Sequence, residues 1–435
     1  MDLSVVKYVA NANGPRLRRG DVLFNNTNSP ELIGKTTTVE SDEELAFSNH
    51  MTRLRPPQGI HGRFVAHQLH FLWRSGYFKH RCVKHVNQAS IASSRLAKSI
   101  PLILPPLDEQ RLIVAEIEKQ FTRLEAGVVG LRRVQANLKR YRAAVLKAAC
   151  EGKLVPTEAE VAREREKVAA AFRRCASGES QSRDGSATQE GRSYETGDQL
   201  LERILTDRRQ KWKGKGKYKE PVNPDAENLP ALREGWTWAS LDQLQNLLKN
   251  GISKKPDAEV GLPILRISAV RPMSVNVSDT RYLKAHANEY SEFSLSEGDL
   301  LFTRYNGNPD LVGVCGVVPK LSSQVVHPDK LIRCKLASEE LLPKFVGIMA
   351  NVGASREFLA KRVRTTAGQS GISGGDLRAL PIPVAPFTEQ QRIVAEVERR
   401  LSVVEELETV VNANLQRAIR LRQSILQRAF SGTLT

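Results

Sequence analysis

Two stretches decide the reading of this chain: "DEQRLIVAEIEKQF" at 108–121 and "TEQQRIVAEVERRL" at 388–401. The same helix is spelled twice, 280 residues apart, each time after a proline-rich run, "IPLILPPL" (100–107) and "LPIPVAPF" (380–387). Working outward, "QASIASSRL" (88–96) matches "QSGISGGDL" (369–377), and "RRGDVLFNNTNSPELIGK" (18–35) matches "SEGDLLFTRYNGNPDLVGV" (296–314). Downstream, "LKAACEGKL" (146–154) matches "LQRAFSGTL" (426–434), so both helices stop at a glycine, Gly152 and Gly432, which supplies the left-handed backbone that ends a helix. The repeat unit is therefore a whole module followed by a long helix, and it fixes the architecture before any local assignment.

Both helices carry a heptad. Ile117, Leu124, Leu131, Leu138 and Val145 recur every seven residues, and 280 later stand Val397, Val404, Val411, Ala418 and Ile425. An interleaved set, Phe121, Val128 and Ala149, is echoed by Leu401, Leu415 and Ala429. Two narrow apolar seams of equal length in one chain can bury each other, most simply antiparallel. Polar breaks at Gln135, Arg142, Glu408 and Arg422 are of the kind that fix register. From Glu109 to Cys150 such a helix spans about 63 Å, comparable with roughly 18 base-pair steps.

The chain has 435 residues, with 65 Lys and Arg against 48 Asp and Glu, a formal charge of +17. That length allows two to four domains, and that charge concentrates polyanions, making nucleic acid the leading partner. No apolar window is long enough to span a membrane and the first residues lack a signal-peptide layout, so a cytoplasmic location is expected. Cys82, Cys150, Cys175, Cys315 and Cys334 are scattered and odd in number, which reads as reduced and mostly buried thiols.

The modules read as α+β. "GDLLF", "LPILRISAV", "GVCGVV" and "KLIRCKL" are short strand-like runs of a mixed sheet, with a helix following each sheet at 63–75 and 342–362. Between the first rod and the second module, helical segments flank a Ser/Gly-rich flexible insertion at 176–193, and "RRQKWKGKGKYK" (208–219) is a basic run suited to a nucleic-acid backbone or to a solvated linker. "SPELIGKT" (29–36) lacks the first glycine of a nucleotide-binding loop. "HQLH" (67–70) has no Cys or carboxylate neighbours to complete a metal site, so ordinary packed histidines are expected there. No nucleophile, metal or cofactor constellation appears, and the chain reads as a binder.

These motifs together resemble the specificity subunit of type I DNA restriction-modification systems. The resemblance rests on two β-rich modules, each closing on a proline-rich run, then "LDEQRLIVAEIEKQF" or "FTEQQRIVAEVERRL", a long helix and a Gly-x-Leu stop, with "LREGWTWASL" (232–241) opening the second module. It covers nearly the whole chain. It implies two target recognition domains in tandem, each reading half of a gapped DNA site, and an antiparallel helix pair that sets the gap and docks methyltransferase subunits. It also implies that the chain itself is noncatalytic, with S-adenosylmethionine, ATP and Mg handled by modification and restriction subunits. The expected boundaries are 1–105 for the first recognition domain, 106–155 for its spacer helix, 156–229 for a linker, 230–386 for the second domain and 387–435 for the second helix. A self-sufficient structural DNA-binding protein is the alternative, disfavoured by two matched seams in one chain.

Two departures stand out. Arg233 replaces a proline common in the family's Glu-Gly-Trp opening. "KYV" (7–9) aligns with "RYL" (281–283), so the first module has no counterpart of 234–280 and is expected to be incomplete at its N-terminus. A truncated gene, a start codon placed too late, or a part supplied by another chain would each account for this.

Base edges are read by Arg, Lys, Asn, Gln, Ser and Thr, while phosphates take Lys, Arg and loop amides. In the second module the candidates are Lys254, Lys255, Arg304, Asn306, Thr366 and Gln369; in the first they are Asn25, Asn26, Asn28, Lys35, Gln88 and Ser90. Such residues also dominate turns for backbone reasons alone. Glu116, Arg123, Glu396 and Arg400, beside the seams, are candidate partner-docking positions.

Overall fold

The computed structural model describes residues 14–43, 45–86, 88–177, 194–212, 217–225, 227–366 and 368–433. The tripeptide at 7–9, nearly all of the polar insertion, residues 213–216 of the basic run and residue 434 lie outside the described residues. Two compact units form, Met1–Leu138 with Glu406–Thr435, and Lys139–Glu405. Each holds part of both long helices.

In the first unit, β1 (Val22–Asn25), β2 (Thr27–Asn28), β3 (Thr36–Thr38) and β4 (Met51–Leu54) precede α1 (Gly62–Arg74); β5 (Val83–Lys84), β6 (Ala89–Ser90) and α2 (Ser93–Ser99) lead to α3 (Leu107–Cys150). The strands make two antiparallel sheets, ordered β3-β1-β4 and β2-β6-β5. The apolar run Val22-Leu23-Phe24 is buried on both faces, and Phe24 meets Phe78 edge-on at 5.0 Å. Helix α1 adds Val65 and Leu69 to the same core. Within α1, burial lowers His67 and His70 to about 4, with Arg422 adding to the effect, and the His67 ring packs edge-on against Phe121. Among the described residues no group of three or more His, Cys, Asp or Glu is placed to hold a metal.

The second unit opens with α4 (Glu158–Ser177) and α5 (Gly197–Gln210), then β7 (Thr237–Ser240), α6 (Leu241–Leu244), β8 (Gln245–Asn250), β9 (Leu262–Leu265), β10 (Val270–Arg271), β11 (Ser274–Val275) and β12 (Thr280–Leu283). There follow β13 (Leu300–Thr303), β14 (Tyr305–Asn306), β15 (Cys315–Val317), β16 (Leu331–Leu336), α7 (Pro343–Asn351), α8 (Gly353–Ala360), β17 (Arg364–Thr366), β18 (Gln369–Gly371), α9 (Gly374–Arg378), β19 (Pro381–Val384) and α10 (Phe387–Phe430). The main sheet is β15-β13-β16-β8, and β14-β18-β17 and β19-β7 are smaller.

Three expectations need correction. The ladders between named strands are antiparallel, not mixed; parallel pairing is confined, among the described residues, to the isolated bridges Ile252–Pro328 and Ile264–Val326. The helix expected over 342–362 is two helices, because Gly353 has φ +61° and turns the chain between α7 and α8. The stretch expected to be linker is partly core: α5 is capped by a reciprocal Thr196–Gln199 box and buries Leu200, Leu201 and Ile204 in the second unit. Of the cysteines, all free, Cys175 is exposed while Cys315 and Cys334 are buried.

The repeated helix entry now has a physical explanation. Gln110 Nε2 donates to the Pro105 carbonyl at 2.8 Å while its Oε1 accepts from His61 N at 2.9 Å. Gln390 repeats this, donating to the Ala385 carbonyl at 2.9 Å and accepting from Leu342 N at 3.1 Å. Each buried glutamine thus ties the start of a long helix to the start of its module's helix and saturates groups that burial would otherwise orphan. The exits match too: Lys153 N bonds the Ala148 carbonyl and Thr433 N the Arg428 carbonyl, around Gly152 (φ +62°) and Gly432 (φ +74°).

Both long helices have 44 residues, about 66 Å at the usual rise. In the first unit they run antiparallel, with Ile117 and Phe121 in one apolar cluster with Ile425 and Ala429, Glu125 paired with Arg422 at 3.2 Å, and Gln135 with Asn412 at 3.1 Å. In the second unit Val145 and Ala149 share a cluster with Val397 and Leu401, and Arg142 lies 3.6 Å from Glu405. Ile117, Leu138, Val145, Val397, Val404, Val411, Ala418 and Ile425 are buried, and Leu124 and Leu131 are half-buried. Three of the polar breaks, Gln135, Arg142 and Arg422, pair across the helices. A homodimer is therefore not needed to bury the seams.

Candidate nucleic-acid interface

Most of the polar candidates lie on or beside one small feature that each unit builds independently; Asn25, which ends β1, and Lys35, Lys254 and Lys255 lie off it. In the second unit it is the ribbon β14-β18-β17, where Asn306 pairs with Ser370, Tyr305 with Gly371, and Gln369 with Thr366. In the first it is β2-β6-β5, where Asn28 pairs with Ala89 and Thr27 with Ser90. The anchoring bonds are the same. Arg304 N donates to the Lys330 carbonyl and its carbonyl accepts from Ile372 N, as Asn26 N donates to the His50 carbonyl and its carbonyl accepts from Ile91 N. This superposes Asn26 on Arg304, Asn28 on Asn306 and Gln88 on Gln369.

A conserved set of turns explains why the ribbons recur. Gly34 N bonds the Asn25 carbonyl and Gly313 N the Thr303 carbonyl, both glycines having positive φ, so each core strand ends and the chain returns to it over the same loop. The loops themselves carry the readable groups. Asn28 Oδ1 accepts from Ser29 N and Asn306 Oδ1 from Asn308 N, so the donor capacity of each half-buried side chain lies in its amide nitrogen. Gln88 and Gln369 are exposed. The Arg304 guanidinium lies over the Tyr305 ring at 4.7 Å, and its Nε, like Asn25 Oδ1 and Asn26 Oδ1, is buried without a hydrogen-bond partner.

Other candidates differ in their setting. Lys255 is exposed, whereas Lys254 is held by Asp257 at 3.2 Å and by the Lys284 carbonyl. Their loop reaches the ribbon through the segment 327–330, because Asp329 N bonds the Ile252 carbonyl and Lys330 holds Arg304. Thr366 contributes its backbone to β17. Lys35 is exposed, and its carbonyl accepts from Asn25 N, off the ribbon itself. Ser90 Oγ lies 3.1 Å from His85 Nε2. Sequence reasoning passed over Arg364 and Lys84, exposed residues of β17 and β5 on the same ribbons. The signal available was their place opposite Gly371 and Ala89 in strands that precede each turn. On the helices, Glu396 is held down to about 2 by hydrogen bonds from Arg399 and Arg400, and Glu116 below its usual range by Gln120 and Lys119.

No family profile matches the chain. The specificity subunit of type I restriction enzyme EcoKI from Escherichia coli (strain K12) is 30% identical over 417 residues, spanning 95% of this chain and 74% of that protein. The StySPI specificity subunit from Salmonella potsdam is 24% identical over 417 residues, with the same two shares. A chain solved in work on complex assembly and conformational transition of the type I R-M system aligns over 96% of this chain and 83% of that chain. Its TM-score is 0.57 at 18% identity, a likeness of fold. With duplicated modules, paired helices and the extent of the first of these similarities, the chain belongs to the family of type I restriction enzyme specificity subunits.

Proposed function

We propose that this chain is the noncatalytic DNA-recognition subunit of a type I restriction-modification complex. Each module reads one part of a gapped site through its polar ribbon, and the helix pair sets the gap and docks methyltransferase subunits. The observation that carries this reading is the duplication of the ribbon: Asn26, Asn28 and Gln88 occupy the places of Arg304, Asn306 and Gln369 on matching hydrogen-bonded strands. Asn and Gln side chains suit bidentate contacts to adenine, Arg to guanine, and Lys255 and Arg364 suit phosphate. Methyl transfer, ATP-driven cleavage and the S-adenosylmethionine, ATP and Mg they require fall to partner subunits, in the cytoplasm. Among the described residues no helix is long and apolar enough to cross a membrane.

The test is to express the chain with a type I methyltransferase subunit in a methylation-free host and map modified adenines. A gapped two-part motif is expected. A genome without modification, or a single uninterrupted motif, contradicts the proposal.

A further inference from the structure

The two ribbons keep the residue type at Asn28 and Asn306 and at Gln88 and Gln369, but a set of three matched positions changes between them. In the second unit Tyr305 of β14 stands directly opposite Gly371 of β18. Directly opposed residues of a ladder present their side chains to one face, and here the glycine has none to present. A Cβ on Gly371 would lie 2.4 Å from Tyr305 Cδ1 and 2.5 Å from Cε1. The phenol ring therefore occupies the space that a side chain at 371 would need. In the first unit the matched pair is Thr27 opposite Ser90. The aromatic ring and the missing side chain occur together in one ribbon and are absent together from the other.

The third position is the residue before the ring, Arg304 in the second ribbon and Asn26 in the first. Arg304 N donates to the Lys330 carbonyl at 2.8 Å and its carbonyl accepts from Ile372 N at 3.0 Å, so the backbone is fixed on both sides. What stays free is a long arginine side chain, which gives up much rotamer freedom whenever it is immobilised on a ligand. Ordering it beforehand improves recognition without any new contact. The guanidinium lies over the Tyr305 ring, 4.7 Å from its centroid, an attractive cation–π arrangement. Gly371 makes room for the ring, and the ring in turn carries the guanidinium. Asn26 is a shorter side chain with less freedom to lose, and Thr27 beside it offers no ring.

The geometry points to Tyr305 as a positioning residue that acts through Arg304: seated over Gly371, its ring holds the guanidinium in one orientation, ready for paired hydrogen bonds to a guanine. A planar guanidinium matches the O6 and N7 acceptors of guanine in the major groove, and it does so only when its plane is set correctly. The inference rests on the proposed reading of DNA by the ribbons and adds to it. The second module carries a stacked, guanine-reading element, whereas the first has short polar side chains at the same three places. The Tyr305 hydroxyl plays no part in this.

The test uses the assembled methyltransferase complex and duplexes carrying its mapped site, changed one base pair at a time, with affinities compared at one salt concentration. Arg304→Ala comes first: discrimination at one G·C pair should fall about tenfold or more, and discrimination elsewhere should stay. If Arg304→Ala leaves discrimination unchanged at every pair, the ribbon reading itself fails. With that pair located, Tyr305→Ala should lower discrimination there by about fivefold or more although Arg304 is intact. Tyr305→Phe keeps the ring and should discriminate as the parent does. Tyr305→Thr combined with Gly371→Ser installs the pair that the first ribbon already folds with, and should behave as Tyr305→Ala; thermal melts check that each variant is folded. A merely structural role would weaken binding to all duplexes alike. Discrimination kept by both Tyr305→Ala and the double variant, lost in Tyr305→Phe, or reduced evenly across the site overturns the proposal.

Discussion

Gln135 Nε2 donates to Asn412 Oδ1 at 3.1 Å, joining the two long helices where the first apolar seam is broken by a polar residue. Ten residues earlier on the first helix Glu125 meets Arg422, ten residues later on the second, so the two pairs share one antiparallel register. A one-residue slip would break both. A double-mutant cycle with Gln135→Ala and Asn412→Ala, read from denaturant midpoints, should give a coupling of about 0.5–1 kcal/mol, modest because Asn412 is exposed.

Asp21 is the pH-sensitive anchor of the first module. Burial pushes its carboxyl up, but the Arg55 hydrogen bonds, the Arg18 N–H and the charges of Arg55 and Arg53 outweigh that and hold it below its ordinary value. A carboxyl depressed in the fold contributes stability above the unfolded value, about 3.9, and loses it as pH falls through the lower folded value. Asp21→Asn should therefore cost about 1.5–3 kcal/mol at pH 7. The gap from the parent should close as pH is lowered below the usual carboxylate range, measured by urea unfolding at each pH.

Two glycines of the first module separate backbone strain from crowding. Gly20 and Gly34 have φ of +88° and +90°, but a Cβ on Gly20 meets nothing within 4 Å, whereas one on Gly34 would lie 2.1 Å from Phe78 Cδ2. Gly20→Ala should cost about 1 kcal/mol, and Gly34→Ala about 2–4 kcal/mol. Paired thermal melts check the difference.

The neighbouring lysines of the second module should behave differently toward DNA. Lys255 is free to neutralise a phosphate, so Lys255→Ala should reduce the slope of log affinity against log salt by about 0.9. Lys254 already pairs with Asp257, so Lys254→Ala should change the slope less. Binding isotherms of the assembled methyltransferase complex across a salt series measure both.

Much of this architecture was legible because it was written twice. The glutamines at 110 and 390 and the glycines at 152 and 432 do local work that any copy of the module requires, so repetition exposed them. The seam was legible from its seven-residue period. The role of 194–210 was not, because a short amphipathic helix beside a polar insertion has the composition of a linker, and only its capping box and the spacing of Leu200, Leu201 and Ile204 hinted at docking. The break at Gly353 was hidden because the run around it, read as one helix, has helical composition on both sides. Candidate contact residues were legible by type, but their convergence on matching ribbons depends on hydrogen bonds between segments some sixty residues apart, such as Asn28's strand with Ala89's.

The central claim is that each ribbon reads its own part of the site. The direct measurement maps modified adenines produced by the methyltransferase complex carrying Asn28→Ala with Gln88→Ala, and separately Asn306→Ala with Gln369→Ala. The account predicts a two-part motif in both cases, with sequence preference relaxed in one part by the first pair and in the other part by the second. Relaxation of both parts by either pair, or an unchanged motif with both, would contradict it.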